Sequence, residues 1–112
     1  MTIDKSIELE IIDLMDALVH GNFDKISAKN WYGRLNRPDI EARLAEYCNT
    51  LALPPAFFVE KIDSYEYNDG SGLALNVPLW TKEEGMSDLT LSLELLYSET
   101  KAKLQMTDLR VL

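Results

Sequence analysis

The sequence is short of the residues that most site chemistry uses. It holds one histidine and one cysteine in 112 residues. A single cysteine excludes an internal disulfide, and a reducing cytosol is the simplest compartment for such a chain. A zinc site would need several carboxylates to complete it. No Gly-x-Ser-x-Gly presents a serine, and no Gly-x-x-x-x-Gly-Lys cradles a phosphate. No apolar run approaches the roughly 18 residues of a membrane span. Met1 to Glu10 lacks the basic start and apolar block of a secretory signal, so none is expected. Basic residues are also few, 11 against 19 acidic ones, for a formal charge of -8. That balance repels phosphate, which disfavours direct nucleic-acid binding and anionic membrane surfaces. It attracts a basic protein partner.

What the chain does have is patterned hydrophobicity. Apolar residues make up 46% of it, ordinary for one folded domain. Leu73, Leu75, Val77 and Leu79 share one parity, and so do Leu89, Leu91, Leu93 and Leu95. Alternation puts every second side chain on one face of a strand. The polar stretch Thr81 to Asp88 between the two runs predicts an antiparallel hairpin as the floor of the core.

The remaining elements follow in order. Ile3, Ile7, Ile11, Leu14 and Leu18 draw one stripe on a helix over Ile3 to Val19, with Thr2 as cap and Gly21 as a left-handed stop. Glu10, Asp13 and Asp16 lie off that stripe. Asn22 to Leu35 reads as an irregular connector pinned by Phe23 and Trp31, with one helical turn near Phe23. It carries Lys25, Lys29 and Arg34 and leads to Arg37, which makes it the one locally basic segment. A second helix runs from Arg37 to Asn49, capped by Asn36, with Ile40, Leu44, Tyr47, Cys48 and Leu51 as its stripe. After Pro54-Pro55 come strands at Glu60 to Tyr67, Leu73 to Trp80, Leu89 to Tyr97 and Ala102 to Leu112. Pro78 implies an edge position or a bulge. A phase slip between Met106 and Leu109 implies a bulge near Thr107-Asp108. Helices followed by strands define an α+β domain over residues 1–112. Two helices pack on a four-stranded antiparallel meander, whose strongly bent version would resemble the nuclear-transport-factor-like (NTF2-like) or cystatin-like folds by analogy of element order.

Candidate sites are few. His20 beside Cys48 would be the only nucleophile–base pair, but Cys48 falls on the buried helical stripe, where a thiol is an inert small hydrophobe. Asp63, Glu66 and Asp69 recur every three residues, too sparsely for a calcium loop. Glu83, Glu84 and Asp88 surround Gly85 in what reads as a solvated loop. No catalytic residue, metal or cofactor is assigned. Tyr65 and Tyr67, ringed by Glu60, Asp63, Glu66 and Asp69, form an acidic aromatic strand. Acids around aromatics can imitate nucleic acid toward a basic nuclease, and stiff rings suit interface hot spots.

The segment Leu79-Trp80-Thr81-Lys82-Glu83-Glu84-Gly85-Met86-Ser87-Asp88-Leu89-Thr90-Leu91 resembles a motif of a family of small uncharacterised bacterial proteins. Leu53-Pro54-Pro55 and Gly33-Arg34-Leu35 resemble further motifs of that family, which transfers no reaction. More loosely, an acidic α+β chain of this size is similar to the immunity proteins of contact-dependent growth inhibition systems. That resemblance implies a non-enzymatic cytoplasmic protein that blocks a cognate toxin domain, with a nuclease as the expected target. Glu60, Asp63, Tyr65, Glu66, Tyr67 and Asp69, then Glu83, Glu84 and Asp88, would be the contact residues. A monomer is favoured slightly. The alternatives are a small-molecule-binding or catalytic pocket between helices and sheet, and a homodimer through the outer sheet face.

Overall fold

A computed structural model describes residues 4–47, 50–98 and 102–111. Among them are three α-helices, α1 (Lys5–Val19), α2 (Phe23–Ala28) and α3 (Arg37–Tyr47). One antiparallel sheet holds β1 (Leu51–Ala52), β2 (Asp63–Glu66), β3 (Gly72–Thr81), β4 (Gly85–Tyr97) and β5 (Ala102–Val111). The expected α+β class is the observed one. The sheet is open: β3, β4 and β5 form a meander, and β1 and β2 share the far side of β3.

The core is the one that alternation predicts. Leu73, Leu75, Val77, Leu79, Leu89, Leu91, Leu93 and Leu95 are all buried, with Leu104, Met106 and Leu109 beside them. Ile11, Leu14 and Leu18 of α1, Ile26 of α2 and Ile40 of α3 join the same cluster, so all three helices bury residues against one sheet face. The phase slip on β5 is a bulge. Leu93 pairs with Met106 and Ser92 with Asp108, leaving Thr107 as the extra residue. That single residue returns Leu109 to the core face after Met106. Pro78 also marks an irregularity, since the β3–β4 register shifts between Pro78 and Trp80. It stands in the gap between β1, which pairs up to Trp80, and β2, which pairs up to Asn76. A residue without an N–H is tolerated where no neighbouring strand needs one.

Several boundaries differ from the sequence reading. Asp4 caps α1 by accepting from the Ser6 amide at 3.1 Å. Thr2 and Ile3 lie outside the described residues, as do Cys48, Asn49 and Leu112 and most of the predicted turn after Ser98. Gly21 has φ +64°, as a left-handed stop requires. The connector contains a true helix, α2, capped by Asn22. Leu51 belongs to β1 and not to the stripe of α3, in which Ile40 is the fully buried member among the described residues. The chain from Ala56 to Lys61 is a 3-10 helix that drives Phe58 into the core, so Glu60 is not on a strand and β2 starts at Asp63. The β3–β4 loop is only Lys82 to Glu84, because Thr81 already pairs with Gly85. Gly85, at φ +75°, makes that tight closure.

Residues Trp31 to Arg34 run along the outer edge of β5. The Met106 amide donates to the Trp31 carbonyl at 2.7 Å, and the Arg34 amide donates to the Met106 carbonyl at 3.0 Å. Gly33 sits between, where a Cβ would stand 2.2 Å from the Met106 oxygen. The connector is therefore a cover for an otherwise open strand edge. Trp31, 1% exposed, anchors it and donates its indole N–H to Glu10 of α1 at 2.9 Å.

Candidate functional site

The sheet face away from the helices carries the polar side chains. Antiparallel register sets Asp63 beside Asn76, Asn76 beside Ser92 and Ser92 beside Asp108. The next row is Tyr65, Ala74, Glu94 and Gln105. Directly opposed residues share a face, so each row reads straight across the sheet.

Glu94 is the centre of this face and is only 7% exposed. Tyr67 donates to it at 2.6 Å and Gln105 at 2.9 Å, while the Arg34 guanidinium stands 3.8 Å away. To reach Glu94 the Tyr67 phenol crosses β3 near Gly72 and Ala74, its two smallest residues on this side. The Tyr67 hydrogen bond holds the Glu94 carboxyl below the ordinary glutamate range against the opposing effect of burial, with help from Gln105 and Arg34. The same bond raises the Tyr67 phenol, whose ionised form would face a carboxylate. A second chain runs from Arg110 to Ser92 at 2.9 Å and from Ser92 to Asn76 at 2.8 Å. Arg110 also meets Asp108 at 3.0 Å.

The nine residues singled out by sequence divide into two groups. Asp63 and Tyr65 sit on β2 with their side chains on this polar face, and Tyr65 is 59% exposed. Glu60 and Glu66 are exposed nearby, on the 3-10 helix and at the end of β2. Asp63 and Asp88 line one shallow groove of about 230 Å³ with Lys61, Asn76, Pro78 and Thr90. Asp69 accepts the Ser71 amide at 2.9 Å within the β2–β3 turn, and the Ser71 side chain first, then this amide, lower its pKa. Tyr67 leaves the edge to serve Glu94.

Glu83 and Glu84 are engaged elsewhere. Glu83 accepts the Thr50 amide at 2.8 Å and its hydroxyl at 3.1 Å, and the amide bond keeps its pKa low. Glu84 accepts the Tyr47 hydroxyl at 2.6 Å, and its own amide donates to Thr81 Oγ1 at 3.0 Å. Ser87 bridges the two strands by donating to the Leu79 carbonyl at 2.7 Å. Thr81, Glu83, Glu84, Gly85 and Ser87 thus form a latch that fastens the hairpin to the chain after α3.

The basic segment is largely neutralised within the fold. Lys25 pairs with Asp13, Arg34 with Glu94 and Arg37 with Glu41, and the Arg37 guanidinium lies 4.6 Å from the centre of the Phe23 ring. Glu60, Asp63 and Glu66 have no ion pair among the described residues. These three exposed acids lie on β2 and its approach, with Lys61 lining the same groove as Asp63.

His20 is exposed at the end of α1, with Nδ1 2.9 Å from the Asp16 carbonyl oxygen. That oxygen can only accept, so Nδ1 carries the proton. Cys48, the other half of the one nucleophile–base pair considered, lies outside the described residues. Among the described residues no three of His, Cys, Asp and Glu stand close enough to share a metal ion. No helix there is long and apolar enough to cross a membrane.

Glu94 and Arg34, with Asn76, Ser92, Gln105, Asp108 and Arg110, belong to this surface and were not among the candidate residues. One signal was present. Glu94 is an acid on the polar parity of a strand flanked by leucines, which requires a partner on a central strand. Arg34 carries no such signal, because only the path of the connector along β5 brings it there.

The fold and this surface define an α+β protein with one helix-covered sheet face and one polar face. Over residues 15–112 the chain matches the family described as domain of unknown function DUF7668. The chain belongs to that family. No curated protein and no solved structure matches it.

Proposed function

We propose that the chain is a non-enzymatic immunity protein that docks on a basic toxin domain in the cytoplasm, with a nuclease as the expected target, and occludes its cleft. The observation that carries this reading is the acidic edge: Glu60, Asp63 and Glu66 flank the exposed Tyr65 along the chain and form no ion pair among the described residues. Elsewhere many acids and bases satisfy each other inside the molecule. Uncompensated acid around an exposed ring favours fast, salt-sensitive encounter with a cationic cleft, and the ring supplies the buried area. The reagent for the test is the product of the neighbouring gene, which this reading expects to be a basic toxin domain. Titration with that domain is expected to show tight binding that weakens with salt. Joint reversal of Asp63→Lys, Glu66→Lys and Asp69→Lys should lower the affinity at least about a hundredfold. Unchanged, salt-sensitive binding by the triple variant overturns the proposed surface.

A second reading rests on a cavity of about 380 Å³ between the start of α1 and the sheet, lined by Ile7, Leu73, Leu75 and Leu95 with Asp4 and Glu10 at its polar side. Its size and mixed lining suit a small apolar ligand with a cationic end. Filling it with Leu75→Phe would abolish such binding and leave toxin docking intact.

A further inference from the structure

We propose that β2 is an acceptor edge that takes a basic extended segment of the partner as an additional strand of the sheet. This inference rests on the docking reading above and specifies its geometry. The Tyr67 amide donates to the Gly72 carbonyl at 3.0 Å, and Tyr65 and Asp63 follow in register opposite Ala74 and Asn76. In an antiparallel ladder, opposed residues alternate between hydrogen-bonded and non-bonded pairs. Asp63, Tyr65 and Tyr67 therefore turn their backbone groups toward β3. Ser64 and Glu66 turn theirs outward, where β2 has no neighbour among the described residues.

The opposite edge of the sheet is treated differently. There the chain from Trp31 to Arg34 occupies the outward backbone groups of Met106. β1 is too short, at two residues, to template a strand. Charge selects the occupant of β2. A second copy pairing on this edge would bring the acids Glu60, Asp63 and Glu66 of one strand close to those of the other, and neighbouring like charges across a strand pair are destabilising. A strand whose lysines or arginines share one face meets Asp63 there, while Glu66 lies on the opposite face and Glu60 just upstream.

The test uses the isotope-labelled full chain and a ten-residue peptide of alternating lysine and valine, with a glutamate–valine peptide as control. The basic peptide is expected to bind at low salt and to slow amide exchange of Ser64 and Glu66 at least tenfold. Tyr65, whose amide already faces β3, should change little. Methylating alternate peptide nitrogens should weaken binding about tenfold. Ser64→Pro should do the same, because it deletes an outward N–H without touching the ladder to β3; unchanged chemical shifts in β3 to β5 verify the fold. Binding with no added protection at Ser64 and Glu66 overturns the added strand and leaves electrostatic docking standing. Full affinity for the methylated peptide has the same meaning. Absence of binding at low salt, or equal binding of the acidic peptide, overturns both.

Discussion

The Tyr67 hydroxyl donates a 2.6 Å hydrogen bond to Oε2 of Glu94 across the width of β3. A bond to a charged acceptor in a nearly buried position contributes about 1.5–3 kcal/mol. Tyr67→Phe is expected to lower stability by that amount at neutral pH, measured by urea unfolding. The sign with pH follows from the depressed Glu94 pKa. Its stabilising effect is fully present above the ordinary glutamate pKa of about 4.3 and is lost as pH falls through the lower folded value. The gap between wild type and Tyr67→Phe should therefore narrow under acid. A gap that stays constant down to pH 2 would show that the bond is not coupled to Glu94 ionisation.

Gly33 and Gly70 separate two costs. Both have positive φ, +57° and +74°. A Cβ on Gly70 meets nothing within 4 Å, whereas on Gly33 it would meet the Met106 carbonyl. Gly70→Ala should cost about 1–2 kcal/mol from backbone strain alone. Gly33→Ala should cost clearly more, because the connector must lift off β5. Thermal unfolding of the two variants measures the difference, and equal costs would contradict the edge contact.

The Trp31 indole N–H has Glu10 as its acceptor. Glu10→Ala should cost about 1–3 kcal/mol by leaving that donor unpaired. Trp31→Ala should cost about 3–5 kcal/mol through the cavity it opens. Both are read by denaturant unfolding. In each case amide exchange at Met106 should accelerate, since its partner is the Trp31 carbonyl.

Glu83 holds Thr50 by two hydrogen bonds. Glu83→Ala should speed exchange of the Thr50 amide. The same opening is expected in wild type when pH falls through the lowered folded pKa of Glu83, because a protonated carboxyl is a weaker acceptor. Exchange measured at Thr50 with Leu91 as reference checks both statements.

Much of the fold was legible from local pattern. The parity of Leu73 to Leu79 and Leu89 to Leu95 marked the core face, and the slip after Met106 marked the bulge at Thr107. Legibility failed where tertiary contact overrides local signal. Ala56 to Lys61 coils because Phe58 must reach the core, and β1 exists only because two residues happen to meet the end of β3. The candidate site was legible in part. Asp63 and Tyr65 lie on the predicted strand, though alternation left open which of its faces turns inward, and Tyr67, Glu83 and Glu84 are engaged by partners 27, 33 and 37 residues away.

By itself the sequence determined which residues leave water, since burial of apolar surface depends on periodicity that a strand or helix converts directly into a face. Only the tertiary structure decided which charges cancel. Coulomb attraction and hydrogen bonding act over a few ångströms in space, whatever the separation along the chain. Arg34 finds Glu94, Lys25 finds Asp13, and Glu60, Asp63 and Glu66 are left facing solvent.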